Sequence, residues 1–204
     1  TIDKRDVTLK SADLTKPWDG TPLANGTTPL ETESGWVAGQ GATYEFTGSR
    51  TDVGTSEGGN TFEYTLNEGT DANNYNIKAE FGDITITDRG EEAAYDVTVT
   101  ANSKKETYDG GEKSVSGFQG ETGQGVPVVA NGITYYVTGL TSEASGTDVA
   151  DSVPEIEVKG LEGMKVVDAD GTDVTAQFDV TIVPGSLTID KRDVTLKSAD
   201  LTKP

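Results

Sequence analysis

Residues 1–17, TIDKRDVTLKSADLTKP, recur letter for letter as residues 188–204. Seventeen identities in seventeen positions set a period of 187 residues, so the 204-residue chain holds one full period and the opening of another. The same stretch sets the structural class. Val7, Leu9 and Ala12 fall near alternate positions among Thr and Lys, the pattern of a strand with one buried face. A period followed by the start of an identical one implies a longer tandem array, with its targeting and anchoring segments elsewhere.

A weaker repeat lies inside the period. Asp6-Val7-Thr8 matches Asp96-Val97-Thr98, and Trp18-Asp19-Gly20 matches Tyr108-Asp109-Gly110, both at an offset of 90. Residues 43–48 match 134–139 at an offset of 91. Tyr75-x-Ile77, Gly82-x-Ile84-x-Ile86 and Arg89 match Phe178-x-Val180, Gly185-x-Leu187-x-Ile189 and Arg192 at 103. The growing offset predicts extra residues in the second half, placed around Met164–Val174. Two related modules follow, residues 1–90 and 91–192. Residues 193–204 are then the first strand of the next copy, extended and loosely held or borrowed by a neighbour. Unlike neighbours exchange strands less readily during folding, so alternation of two diverged modules has a physical benefit.

The pattern throughout is β. Val97, Val99 and Ala101 alternate, as do Tyr44 and Phe46, and Phe62, Tyr64 and Leu66. Tyr75, Ile77, Ala79 and Phe81 alternate up to Gly82-Asp83, and Ile84 and Ile86 follow. That predicts a hairpin, with Pro184-Gly185-Ser186 as the matching turn of module 2. Asn25-Gly26, Asn131-Gly132 and Asp170-Gly171 signal further turns. No run of ten residues carries apolar spacing of 3.6. The expected fold is all-β: two tandem small β-sandwich (Ig-like) modules in an elongated arrangement, with mostly-β grasp-like modules as the alternative. Only Asp190-Lys191-Arg192 separates Ile189 from the next first strand, which leaves little slack. The link between modules 1 and 2, residues 87–95, contains Gly90-Glu91-Glu92 and is the better flexing point. Residues 1–91 carry a charge of −9 and residues 92–187 carry −11. Such modules repel over a Debye length of ~8–10 Å, which favours an extended array.

Composition narrows the chemistry. The chain has 35 acidic and 16 basic residues, a net charge of −19, one Met (Met164), and no His or Cys. Without imidazole or thiol there is no His- or Cys-ligated zinc, no Ser-His-Asp triad, no cysteine nucleophile and no disulfide. The negative charge repels phosphates and anionic lipid heads, so nucleic acid and membrane insertion are not expected. No enzyme is expected either.

The aromatic-Asp-Gly motif, Trp18-Asp19-Gly20 and Tyr108-Asp109-Gly110, is the most specific local signal. An Asp can accept backbone N–H bonds across a turn, Gly supplies a positive φ, and the aromatic anchors the turn. A sugar-stacking aromatic is the functional alternative. These motifs, with Asn74-Tyr75-x-Ile77…Gly82-x-Ile84-x-Ile86 and Gly185-x-Leu187-x-Ile189-x-x-Arg192, resemble the YDG/MBG-type repeats of bacterial cell-surface adhesins. Trp18 replaces the family's Tyr, and Gln177-Phe178 stands where the family has Asn-Tyr. The resemblance implies a secreted, wall-attached fibrous protein without catalytic residues. In such a protein the chain would be a stalk or spacer that projects a distal binding domain. Its partners would be neighbouring repeats of the same chain, with host glycan or protein bound by other domains, and it would be monomeric. The alternative is a carbohydrate- or mucin-binding module acting through Trp36, Tyr135 or Tyr136.

Four weaker readings complete the survey. Asp168, Asp170 and Asp173 surround a Gly turn as calcium ligands do, but the closing Glu of an EF-hand is absent and an ordinary hairpin turn fits as well. No other cofactor is expected. Gly54-Thr55-Ser56-Glu57-Gly58 fits a hydrolase elbow without the helix or the His that elbow needs. Asn25-Gly26-Thr27 fits a glycosylation sequon. Stalk modules of this kind sometimes carry Lys–Asn isopeptide bonds, and Lys10 with Asn73, Asn74 or Asn76 has the right residue types. A solvated Lys10 is the preferred reading.

Overall fold

The computed structural model describes residues 2–198, which are built from strands, three-residue 3-10 turns and irregular connections. The fold is all-β. The chain divides into two compact units, Thr1–Ala93 and Ala94–Pro204, so the division falls three residues beyond the expected boundary.

Module 1 opens with β1 (Arg5–Lys10), β2 (Leu14–Pro17), β3 (Leu23–Ala24), β4 (Thr32–Ser34) and β5 (Ala42–Phe46). It continues with β6 (Ser49–Arg50), β7 (Gly54–Asn60), β8 (Phe62–Leu66), β9 (Tyr75–Glu80) and β10 (Gly82–Thr87). The two three-stranded sheets have the orders β4-β1-β9 and β2-β10-β7, and β3-β6 and β5-β8 form antiparallel pairs. Val7 and Leu9, on the inward face of β1, pack with Phe62 and Tyr75, and Trp36, Tyr44 and Phe46 close around them. Ile84 and Ile86 of β10 are also fully buried.

Module 2 comprises β11 (Tyr95–Thr100), β12 (Lys104–Thr107), β13 (Lys113–Ser116), β14 (Val126–Ala130) and β15 (Ile133–Thr138). After these come β16 (Thr141–Gly146), β17 (Val158–Lys159), β18 (Lys165–Val167), β19 (Phe178–Val183) and β20 (Leu187–Asp190). Its sheets are β11-β19, β12-β20, β13-β16-β17 and β14-β15-β18. The two-residue Asn131-Gly132 turn joins β14 to β15 as the sequence predicts, with Ala130 opposite Ile133 and positive φ at both turn residues.

The hairpin expected at Gly82-Asp83 is not there. β9 lies parallel to β1, from Arg5 opposite Tyr75 to Lys10 opposite Glu80. One residue later, β10 lies parallel to β2, from Ile84 opposite Leu14 to Thr87 opposite Pro17. The two chain segments change sheets side by side and neither reverses. Module 2 repeats the arrangement, with β11 parallel to β19 and β12 parallel to β20, so Pro184-Gly185-Ser186 is a sheet change as well. Two alternating runs broken by Gly look alike in a hairpin and in a sheet change; only the partner strand distinguishes them. The glycine is required by contact with that partner. A Cβ on Gly82 would lie 2.3 Å from the Ala12 carbonyl oxygen, and one on Gly185 would lie 2.0 Å from that of Asn102.

The extra residues of module 2 also lie elsewhere than expected. Residues 43–48 match 134–139, and β5-β8 has its counterpart in β15-β18. The added length therefore falls between Gly139 and Lys165, where it forms β17 and two 3-10 turns, Val149–Asp151 and Leu161–Gly163. Among the described residues no helix exceeds three residues.

The duplicated segment meets two fates. Ile189 is 1% exposed as part of β20, whereas the identical Ile2 is fully exposed. Val7 and Leu9 are 1% and 0% exposed in β1, against 74% and 92% for Val194 and Leu196. Residues 193–198 form no strand, and the rest of the expected orphan strand, residues 199–204, lies outside the described residues.

Candidate functional site

The two aromatic-Asp-Gly turns follow β2 and β12. Trp18 N–H donates to the Thr87 carbonyl at 2.8 Å and Tyr108 N–H to that of Asp190 at 2.9 Å, which ties each turn to the end of the module's last strand. Gly20 and Gly110 have φ of 78° and 83°, the left-handed region that favours glycine. The aromatics differ in depth: Trp18 is buried at 3% exposure, Tyr108 is 37% exposed.

Each Asp holds its turn together through a lysine. Asp19 Oδ1 accepts from Thr21 N–H at 2.9 Å, from Thr21 Oγ1 at 2.7 Å and from Lys16 Nζ at 2.7 Å. Burial pushes the Asp19 carboxyl up, but Lys16 and Thr21 outweigh it and hold it at about 2. Asp109 Oδ1 accepts from Gly111 N–H at 2.9 Å and Lys113 Nζ at 2.6 Å, and Lys113, then Gly111, draw its carboxyl below the usual range. The lysines come from opposite sides of the turn. Position 106, which matches Lys16, is Glu, while position 23, which matches Lys113, is Leu. The charge has moved and the ion pair has stayed. Sequence matching alone missed this pair because it compares positions and not partners.

The carboxylates of the calcium reading are used by local structure. Asp168 Oδ1 accepts from the N–H groups of Asp170 and Thr172 at 3.0 and 2.8 Å. Asp173 Oδ1 accepts from Thr175 N–H and Oγ1 at 3.1 and 2.6 Å, and its Oδ2 pairs with Lys165 at 3.0 Å. Thr175 and then Lys165 hold the Asp173 carboxyl at about 2. Asp71 plays the matching part in module 1, where it accepts from Asn73 N–H at 2.9 Å just before β9. Among the described residues no three carboxylates gather as a metal would need.

The remaining candidates also make contacts within their own modules. Trp36 packs edge-on against Tyr75 with centroids 4.9 Å apart, and Tyr135 is 2% exposed beside Phe178 at 5.0 Å; Tyr136, half-buried, sits opposite Pro127 in the β14-β15 pair. Ser56 lies within β7 and receives a bond from Arg50, so Gly54–Gly58 is strand and not elbow. Asn25 is buried against Asn60, which hides the sequon nitrogen. Lys10 lies opposite Glu80 and pairs with Glu31 at 2.7 Å, four residues along the ladder from the Asp6–Asn76 pair. Two shallow openings, one lined by Arg5, Gln40 and Tyr75 and the other by Ser114, Glu143 and Lys159, hold one carboxylate each, Asp3 and Glu143.

Comparisons with family models, with curated proteins and with solved structures give no match for this chain. Among the described residues no helix is long and apolar enough to cross a membrane.

Proposed function

We propose that this chain is a structural stalk repeat of a secreted bacterial surface adhesin, made of Ig-like, sandwich-type modules that place a distal binding domain away from the cell wall. One observation carries the reading. The strand β20 ends at Asp190, and Arg192 is the residue that matches the first residue of β1, so a single residue, Lys191, separates the last strand of module 2 from the first strand of another module 1. The opposite burial of Ile2 and Ile189 supports the same register: the shared segment straddles the end of one module and the start of the next. The resemblance to YDG/MBG-type repeats points the same way, and no catalytic group is assigned.

Each end-to-end period adds on the order of 70 Å of reach, from two strands of ~33 Å. The test is to remove one 187-residue period from the parent protein and measure the height of the distal domain above the cell by labelled electron microscopy. A loss near 70 Å with ligand binding retained is expected. A loss of binding at unchanged height, or a response of the isolated chain on a glycan array, overturns the stalk reading in favour of a binding module.

A further inference from the structure

We propose that each module is a shear clamp, whose first and last strand segments lie parallel and share tension as one ladder. The inference rests on the stalk reading for its purpose, but its geometry is independent of it. The chain enters module 1 at the Arg5 end of β1 and leaves it at the Thr87 end of β10. Because β1 runs parallel to β9 and β2 to β10, tension on the chain draws the two segments past each other along their own axes. All six residue pairs of the first ladder and all four of the second then resist together. Had the segments been antiparallel, the same pull would open them one pair at a time.

The ladder is not interrupted where the segments change sheets. Ser11 N–H donates to the Glu80 carbonyl at 3.1 Å, Gly82 N–H to Ser11 Oγ at 2.9 Å and Asp83 N–H to Asp13 Oδ1 at 2.9 Å. At the exit, Trp18 N–H bonds Thr87 and Arg89 Nη1 donates to the Trp18 carbonyl at 3.1 Å. Module 2 bridges its own change with Ala101 N–H to Val183, Lys104 N–H to Ser186 and Ser186 N–H to Ser103 Oγ, at 2.8–3.0 Å. Its ladders again contain six and four pairs. Two modules that have diverged in their cores and lysine positions thus keep the same parallel arrangement between start and finish.

Single-molecule stretching of the full chain tests the clamp, and the absence of Cys in the chain lets handles be attached wherever one is introduced. Pulled from residues 1 and 204, the chain should give two abrupt extensions. Releasing Arg5–Thr87 frees about 260 Å and releasing Tyr95–Asp190 about 300 Å, at ~3.5 Å per extended residue less a folded span of ~33 Å. Forced unfolding reads the barrier along the pulling direction. Handles on Asp3→Cys and Asn74→Cys pull β1 and β9 apart from the same end and peel them. The module 1 rupture force should then fall to half or less. Ala94→Cys with Ala176→Cys is the corresponding pair for module 2 and serves if the first variant fails to fold. Equal forces in the terminal and peeling geometries overturn the clamp while leaving the stalk reading intact, since that reading depends on height and copy number and not on rupture force.

Discussion

Module 1 closes on few apolar side chains and a polar network, and module 2 closes on a larger apolar core. Among the described residues seven hydrophobic side chains are buried in module 1 against fifteen in module 2. In place of the missing apolar mass, module 1 buries Ser11, Asn25 and Asn60. Ser11 Oγ donates to the Asn60 carbonyl at 2.6 Å, Asn60 Nδ2 donates to the Ala12 carbonyl at 2.7 Å, and Asn25 Nδ2 donates to Asn60 Oδ1 at 3.3 Å. Asn25 Oδ1 and Arg50 Nε, buried and without a hydrogen-bond partner, are both in module 1. Hydrophobic burial contributes about 1.5–3 kcal/mol per large side chain and a net hydrogen bond only about 1. Module 1 is therefore the softer unit. What the two interiors share is the pair of parallel ladders and the glycine contact at the sheet change.

Both tryptophans, Trp18 and Trp36, lie in module 1, so their fluorescence reports that module while far-ultraviolet circular dichroism reports both. The fluorescence midpoint in denaturant should precede the final dichroism transition; coincident curves would break the comparison. Core truncations should then act on one transition at a time. Leu9→Ala should cost about 3 kcal/mol and move the fluorescence transition alone, and Leu187→Ala should cost a similar amount in the later one. Asn60→Ala, which strands its neighbours in a dry interior, should lower the first midpoint by about 2 kcal/mol.

Smaller effects sharpen the comparison at the Asp turns. Lys16→Met should weaken module 1 by about 1 kcal/mol, and Leu23→Lys on that background should restore part of the loss, since position 23 matches Lys113. Absence of rescue would mean that the lysine's position matters as much as its charge. Acid gives the smallest signal. Asp19 and Asp173 are held at about 2, below the ordinary carboxyl value, so the stability they add is full above pH ~4 and is lost as pH falls toward 2. Asp19→Asn should flatten the module 1 midpoint over that window, and Asp173→Asn should flatten that of module 2.

Strand identity was legible because alternation reports burial of one face, which is why Val7, Leu9, Ile84 and Ile86 could be picked out as core. The order of strands was not. Gly82-x-Ile84-x-Ile86 carries no mark of whether its partner is β9 or β2, and a pairing seventy residues apart in sequence leaves no local trace. The partners of the site residues were hidden for a related reason. Asp168, Asp170 and Asp173 have the composition of a cation loop, but backbone N–H groups and Lys165, brought in by the fold, take up Asp168 and Asp173.

The sequence by itself determined that the chain is β, that it is periodic, and where most of its core residues and turns such as Asn131-Gly132 lie, because these depend on side-chain character at short range. Only the tertiary structure decided which strands run side by side. A strand's burial is conferred by its partners, and those are distant in sequence: β2 lies beside Ile84–Thr87 and β12 beside Leu187–Asp190.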